Sequence, residues 1–238
     1  MNWRDIKPSL DGSHFLFEGK PLWSDRFTAV MSFHAPGVAP VQDASGWYHI
    51  DANGHALYTA RFQKAFGFYC DRAAVLDPEG WFHIDLSGKA CYPERYAWSG
   101  NFQEDCCTVR SVDGYHHIDP SGRAMYKEQW QYAGDARDGV ICVLCAGEAF
   151  HIRKNGSRLY AASYRFVNVF HKGFAVVLDK DGWCHIDRSG QPIHAHRFQY
   201  LEPFYNGIAM AIDVRGQHVM VNEAGAITPI GQSSVAPT

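Results

Sequence analysis

Asp179-Lys180-Asp181-Gly182-Trp183-Cys184-His185-Ile186-Asp187-Arg188-Ser189-Gly190 holds a turn, a strand and a second turn in succession. Asp-x-x-Gly at each end marks a tight turn, because an Asp carboxylate bonds its own backbone and Gly tolerates positive φ. Between the turns, Trp183, His185 and Asp187 alternate with Cys184 and Ile186, which is the period of a strand. Upstream, Gly173-Phe174-Ala175-Val176-Val177-Leu178-Asp179 alternates as well. Two antiparallel strands joined by Asp179–Gly182 follow.

Moving outward, the same unit recurs. His-Ile-Asp stands at His49–Asp51, His83–Asp85, His117–Asp119 and His185–Asp187, and His151-Ile152-Arg153 is a variant. These histidines are 34 residues apart, while His14 lies 35 before His49 and Met220 lies 35 after His185. The 238 residues therefore read as a single repeat domain, 1–238, of seven units centred on His14, His49, His83, His117, His151, His185 and Met220. Glycines follow in register (Gly54, Gly88, Gly122, Gly156, Gly190), with an aromatic nine residues after each histidine: Trp23, Tyr58, Tyr92, Tyr126 and Tyr160, then His194. Twelve after comes Arg26, Arg61, Arg95 or Arg197, with Gln129 and Ser163 as exceptions, and thirteen after is always aromatic, as in Phe62 and Phe198. This last segment is expected to be the third strand of each unit, with a short fourth around Phe102, Phe170 and Phe204. No sustained 3.6-residue pattern is present, so helix should be scarce.

Such a meander exposes apolar side chains on both faces. Ile50, Ile84, Ile118, Ile152 and Ile186 point one way, and the histidines with Trp47, Trp81 and Trp183 point the other. Neighbouring units must cover both. The expected class is all-β: antiparallel meander repeats of about 34 residues closing into a β-propeller-like ring, with an open β-solenoid stack as the alternative. The unit is shorter than the usual propeller blade of about 40–45 residues, which keeps the alternative in play.

Gly80-Trp81-Phe82-His83-Ile84-Asp85-Leu86-Ser87-Gly88-Lys89 resembles the unit of the WG-repeat family of bacterial β-repeat proteins, Trp-Gly-Tyr-Ile-Asp-x-x-Gly-Lys. The resemblance runs from about Asp11 to Ile230. It departs regularly: His replaces the Tyr, giving a His-Ile-Asp variant, and the residue after Trp is not Gly. The resemblance implies an all-β scaffold and interaction modules, some fused to other domains such as methyltransferases. It transfers no catalytic residue.

Composition narrows the function. The net charge is −3, without the basic stripe of a general nucleic-acid binder. No apolar run approaches the ~20 residues of a membrane span, and no signal-type stretch opens the chain. Seven cysteines, an odd count, read as free thiols in a reducing cytoplasm, with Cys106, Cys107 and Cys142 as small core hydrophobes. Cys142-Val143-Leu144-Cys145 has no partner pair for zinc. No phosphate loop, dinucleotide fingerprint, nucleophile elbow or His-Glu-x-x-His is present, so no catalytic residue and no cofactor are assigned.

The recurrent histidines read as a structural ladder hydrogen-bonded within and between units, since buried polar groups need partners. The arginines read as stacked on neighbouring rings and paired with turn aspartates. Function is expected where symmetry breaks: Trp98 and Trp130 among extra aromatics, His171 and Lys172 with Tyr205 and Asn206 on one recurring loop, and His194 and His196. The expected role is a cytoplasmic binding module for a protein partner or a small polar ligand, without catalysis. Two alternatives stand beside it: an enzyme with an axial histidine cluster, His151, His185, His194 and His196, holding a metal; and a lectin-like carbohydrate binder on the aromatics.

Overall fold

The computed structural model describes residues 1–230. The chain forms two compact units, residues 1–129 and residues 130 onward. The first contains four three-stranded antiparallel sheets. The second contains two three-stranded sheets and one of four strands, completed by Ile227–Pro229. Every sheet is a sequential meander. The described helix is a single 3-10 turn, Trp3–Asp5.

One sheet stands for the others. Trp98–Ser99 pairs with Cys107–Ser111, which pairs with Gly114–Ile118. A two-residue turn, Glu104 and Asp105 at φ 52° and 57°, closes the first hairpin, in the mirror-image geometry that suits twisted hairpins. After the histidine strand, Asp85 Oδ1 accepts from the backbone N–H of Ser87 (2.8 Å) and Lys89 (3.1 Å), which fixes the Asp-x-x-Gly turn.

The strand order differs from the sequence expectation in one respect. The segment carrying the Tyr, Arg and aromatic positions is not a strand. It is a bent loop held by isolated bridges, Trp81 to Tyr96 and Trp183 to Phe198. In this loop the carbonyls are spent locally: Arg95 Nη1 donates to those of Pro93 (3.0 Å) and Glu94 (3.1 Å), which a strand would offer to a neighbour. In the sheets opened by Ala29–Val30, Trp98–Ser99, Tyr132–Ala133 and Phe166–Val167 the third strand is instead that short first one, whereas in the first sheet it is Lys20–Pro21, after Phe15–Phe17.

Side chains of both faces are buried at the recurring positions, as the alternation requires. Ile50, Ile84, Ile118, Ile152 and Ile186 are buried, and so are His49, His83, His117, His151 and His185. In the second unit, Val176 packs into a cluster with Leu201, Phe204, Ala209 and Ala211 of the following sheet. Within this unit, the joint is one sheet's outward face closed by the next sheet's inward face. Full burial of such a Val or Phe contributes about 1.5–3 kcal/mol. All seven cysteines are free. Cys106, Cys107 and Cys184 are buried, Cys91, Cys142 and Cys145 half-buried, and Cys70 exposed.

Candidate functional site

The recurrent histidine is the best-defined polar feature. His83 Nε2 faces the carbonyl of Gly100 at 3.1 Å, and His49, His151 and His185 face the carbonyls of Phe66 (2.8 Å), Asn168 (2.9 Å) and Glu202 (2.9 Å). Each carbonyl lies in the opening strand region of the next sheet. A carbonyl only accepts, so Nε2 carries the proton. The lone pair is then on Nδ1, where Tyr58, Tyr92 and Tyr160 donate their hydroxyls to His49, His83 and His151; Tyr126 meets His117 Nδ1 in the same way, and there Nε2 faces the hydroxyl of Thr108 at 3.1 Å. Burial favours the neutral imidazole and lowers His49, His83, His151 and His185 to about 4. Tyrosine, histidine and carbonyl form a relay that ties one sheet to the next.

The tyrosine is held from its other side. Gly88, at φ 80°, lies so close to the Tyr58 ring that a Cβ would stand 2.5 Å from it, and at Gly190 a Cβ would stand 2.4 Å from Tyr160. A phenylalanine closes the histidine: Phe102 lies edge-on to His83 (ring centroids 4.6 Å), and Phe170 lies 4.6 Å from His151.

The arginines are equally committed. Arg95 lies 3.5 Å over the Phe82 ring and its Nε donates to Asp77 at 3.1 Å, while Arg197 Nε donates to Asp179 at 2.7 Å. Arg61 lies 3.7 Å over Tyr48. Where Ser163 replaces the arginine, Arg158 enters over Phe150 at 3.6 Å and donates to Ser163 Oγ at 3.1 Å. Where Gln129 replaces it, Gln129 hydrogen-bonds His116, which is buried and lowered by burial.

The relay breaks at His185. The tyrosine position holds His194, whose ring lies 6.0 Å from His185, and His196 lies 5.5 Å from His194. His185 Nδ1 and both nitrogens of His194 are buried without a hydrogen-bond partner. His185 stacks on Phe204 at 3.8 Å instead. His194 and His196 occupy a bend rather than one strand face. The structure thus brings together His185, His194 and His196, while His151 is engaged with Tyr160 and Asn168. Among the described residues, no three His, Cys, Asp or Glu side chains are grouped to hold a metal ion.

The remaining sequence candidates separate by exposure. Trp130 is buried, edge-on to Phe150 at 5.6 Å, and presents no open ring face. His171-Lys172 and Tyr205-Asn206 are exposed and occupy the same hairpin turn in successive sheets. Lys172 and Asn206 take φ near 50°, followed by Gly173 and Gly207, and Tyr205 N donates to Ile208 O at 2.8 Å. Trp98 is exposed and meets Tyr115 at 6.2 Å.

Trp98 also reveals a position that motif reading overlooked. Trp98, Tyr132, Phe166 and Tyr200 lie 34 residues apart, and each opens the short first strand of its sheet with 37–53% of its surface exposed. Phe166 was not among the sequence candidates. The constant interval was the available signal, hidden because Lys64 holds this place one unit earlier. Two shallow clefts also recur at equivalent places. One, of about 360 Å³, is lined by Asp43, Arg61, Gln63 and Asp77; the other, of about 330 Å³, by Arg165, Asp179, Lys180 and Gln199.

Residues 186–212 match the family model described as "WG containing repeat". The match runs from the histidine strand of one sheet to the second strand of the next and supports kinship with the WG-repeat family. No curated protein matches the chain. Among solved structures, the computationally designed Ika8 protein is similar at 12% identity with a TM-score of 0.51, covering 95% of this chain and 82% of that one. BamB from Moraxella catarrhalis is similar at 17% identity and TM-score 0.49, covering 94% and 83%. The C-terminal WD40 domain of Sif2 is similar at 10% identity and TM-score 0.46, covering 94% and 76%. At 12% identity the likeness to Ika8 is one of fold, an all-β series of antiparallel sheets.

Proposed function

We propose that this chain is a binding scaffold, a single array of His-Ile-Asp variant WG repeats that recognises a protein partner and carries no chemistry of its own. The observation behind this reading is the division of labour among repeated side chains. Histidine, tyrosine and arginine are consumed in the joints. The exposed aromatics Tyr132, Phe166 and Tyr200 recur on the surface at a 34-residue interval. Aromatic rings combine large apolar area with low conformational entropy and are favoured as interface anchors. The adjacent turns, His171-Lys172 and Tyr205-Asn206, vary in chemistry on a fixed frame, as recognition loops do. Free thiols at all seven cysteines favour a reducing compartment, the cytoplasm. No helix among the described residues is long and apolar enough to cross a membrane.

The test compares the native chain with a Tyr132→Ser, Phe166→Ser, Tyr200→Ser variant in affinity capture from the source cells. A partner retained by the native chain and lost by the variant, at unchanged thermal stability, is the expected result. Identical captured sets would overturn the assignment to this surface. The same rings favour one second reading, a small polar ligand such as a carbohydrate, since sugars stack on flat aromatic faces. Glycan-array binding that vanishes in the triple variant would select that reading over a protein partner.

A further inference from the structure

The four-stranded sheet of the second unit carries an open apolar face. In strands Ile208–Ile212 and His218–Asn222, Ala209, Ala211, Val219 and Val221 are buried while Ile208 and Met210 are 47% and 49% exposed and Met220 is 37% exposed. Met210 pairs with Met220, which pairs with Thr228, so these side chains form one row across three strands. Met210 lies 34 residues after Val176 and Met220 lies 35 after His185, and both of those are buried by the next sheet. The Met210 and Met220 face is therefore the first half of the joint that links successive sheets. It carries exposed apolar side chains: Ile208, Met210, Met220 and the 38% exposed Ile230.

We propose that this face is a self-association surface, closed by the same face of a second copy of the chain around a two-fold axis. Three observations select that occupant. The surface continues an interface the molecule already uses between its own sheets. Met220 replaces the histidine that at His49, His83, His151 and His185 takes a carbonyl from the next sheet's opening strand region, so the occupant need present no free carbonyl. The outward residues Ile208, Met210, Ile212, His218, Met220, Asn222 and Thr228 include no Asp, Glu, Lys or Arg. Two copies can thus stack without opposing like charges, and unbranched methionines adapt to an identical partner.

The experiment needs no binding partner: multi-angle light scattering of the purified full chain over a concentration series. A reversible dimer with a Kd in about the micromolar range is expected. Met210→Glu with Met220→Glu should raise that Kd at least about 100-fold. Met210→Gln with Met220→Gln, read with circular dichroism, shows that a loss of dimer is not a loss of fold. A monomer at all concentrations overturns the proposal, as does a dimer that both double variants leave intact. A third arm ends the chain at Ile230: a dimer formed only by this shortened chain would mean that its own terminal residues cover the face, and would equally overturn the proposal.

Discussion

The joint at His151 and the joint at His185 share their strand arrangement and their carbonyl acceptor, and differ at the tyrosine position. At His151, Tyr160 donates to Nδ1 while Asn168 accepts from Nε2, so every polar atom of the ring is matched. At His185, Glu202 accepts from Nε2 but His194 stands where the tyrosine would be, and three ring nitrogens are left buried and unmatched. The pair teaches what the tyrosine contributes. It is less an aromatic filler than the donor that lets a buried neutral histidine clamp the next sheet. Leaving a buried polar atom unmatched costs about 1–3 kcal/mol, so the His185 joint is expected to be the weaker one.

Acid is the broadest way to break the comparison, because both joints depend on neutral imidazole. His49, His83, His151 and His185 fall to about 4 in the folded chain, below their ordinary 6.5. Between those values the unfolded chain binds more protons than the folded one. Stability is therefore full above pH 6.5 and is lost as pH falls toward 4. Thermal melts should be level from pH 8 to 7 and drop steeply below about pH 6; a level profile down to pH 5 contradicts the relay.

Gly190→Ala attacks the intact joint alone. The substitution places a Cβ 2.4 Å from the Tyr160 ring at φ 79°. It should cost about 3 kcal/mol in urea unfolding, whereas Gly216→Ala, also at positive φ but with open space around it, should cost only about 1–2 kcal/mol. Equal costs would show that the ring contact is slack. Tyr160→Phe removes only the donor and should destabilise by about 1–3 kcal/mol, against a change within about 0.5 kcal/mol for His194→Phe, which deletes two unmatched nitrogens. The smallest effect is the most specific: His194→Tyr should restore the relay at His185 and stabilise the chain by about 1 kcal/mol. Destabilisation by this substitution would mean that the His185 joint has repacked around its imidazoles.

Much of this was legible before any coordinates. The 34-residue period, the two turns flanking Trp-x-His-Ile-Asp and the opposite facing of Ile84 and His83 follow from alternation and turn chemistry. The structural reading of the histidines and the stacking of Arg95 on a ring with the turn Asp77 follow from the need to satisfy repeated buried groups. The bent loop around Arg95 was not legible, because its aromatic and arginine spacing imitates a strand and only the guanidinium contacts reveal where the carbonyls go. Arg158 could not be foreseen as the stand-in for a missing arginine, since it reaches Phe150 from a different place in the repeat. Trp98 and Trp130 look alike as extra aromatics; one is exposed and the other buried because Trp130 occupies the always-aromatic joint position thirteen after His117.

The central claim is that the recurrent histidine is a neutral clamp donating from Nε2. Imidazole nitrogen-15 shifts of His83 and His151, followed from pH 8 to 5, test it most directly. The account requires protonated Nε2, unprotonated Nδ1 and no titration across that range. A ring protonated on Nδ1, or one that titrates near 6.5, would contradict it.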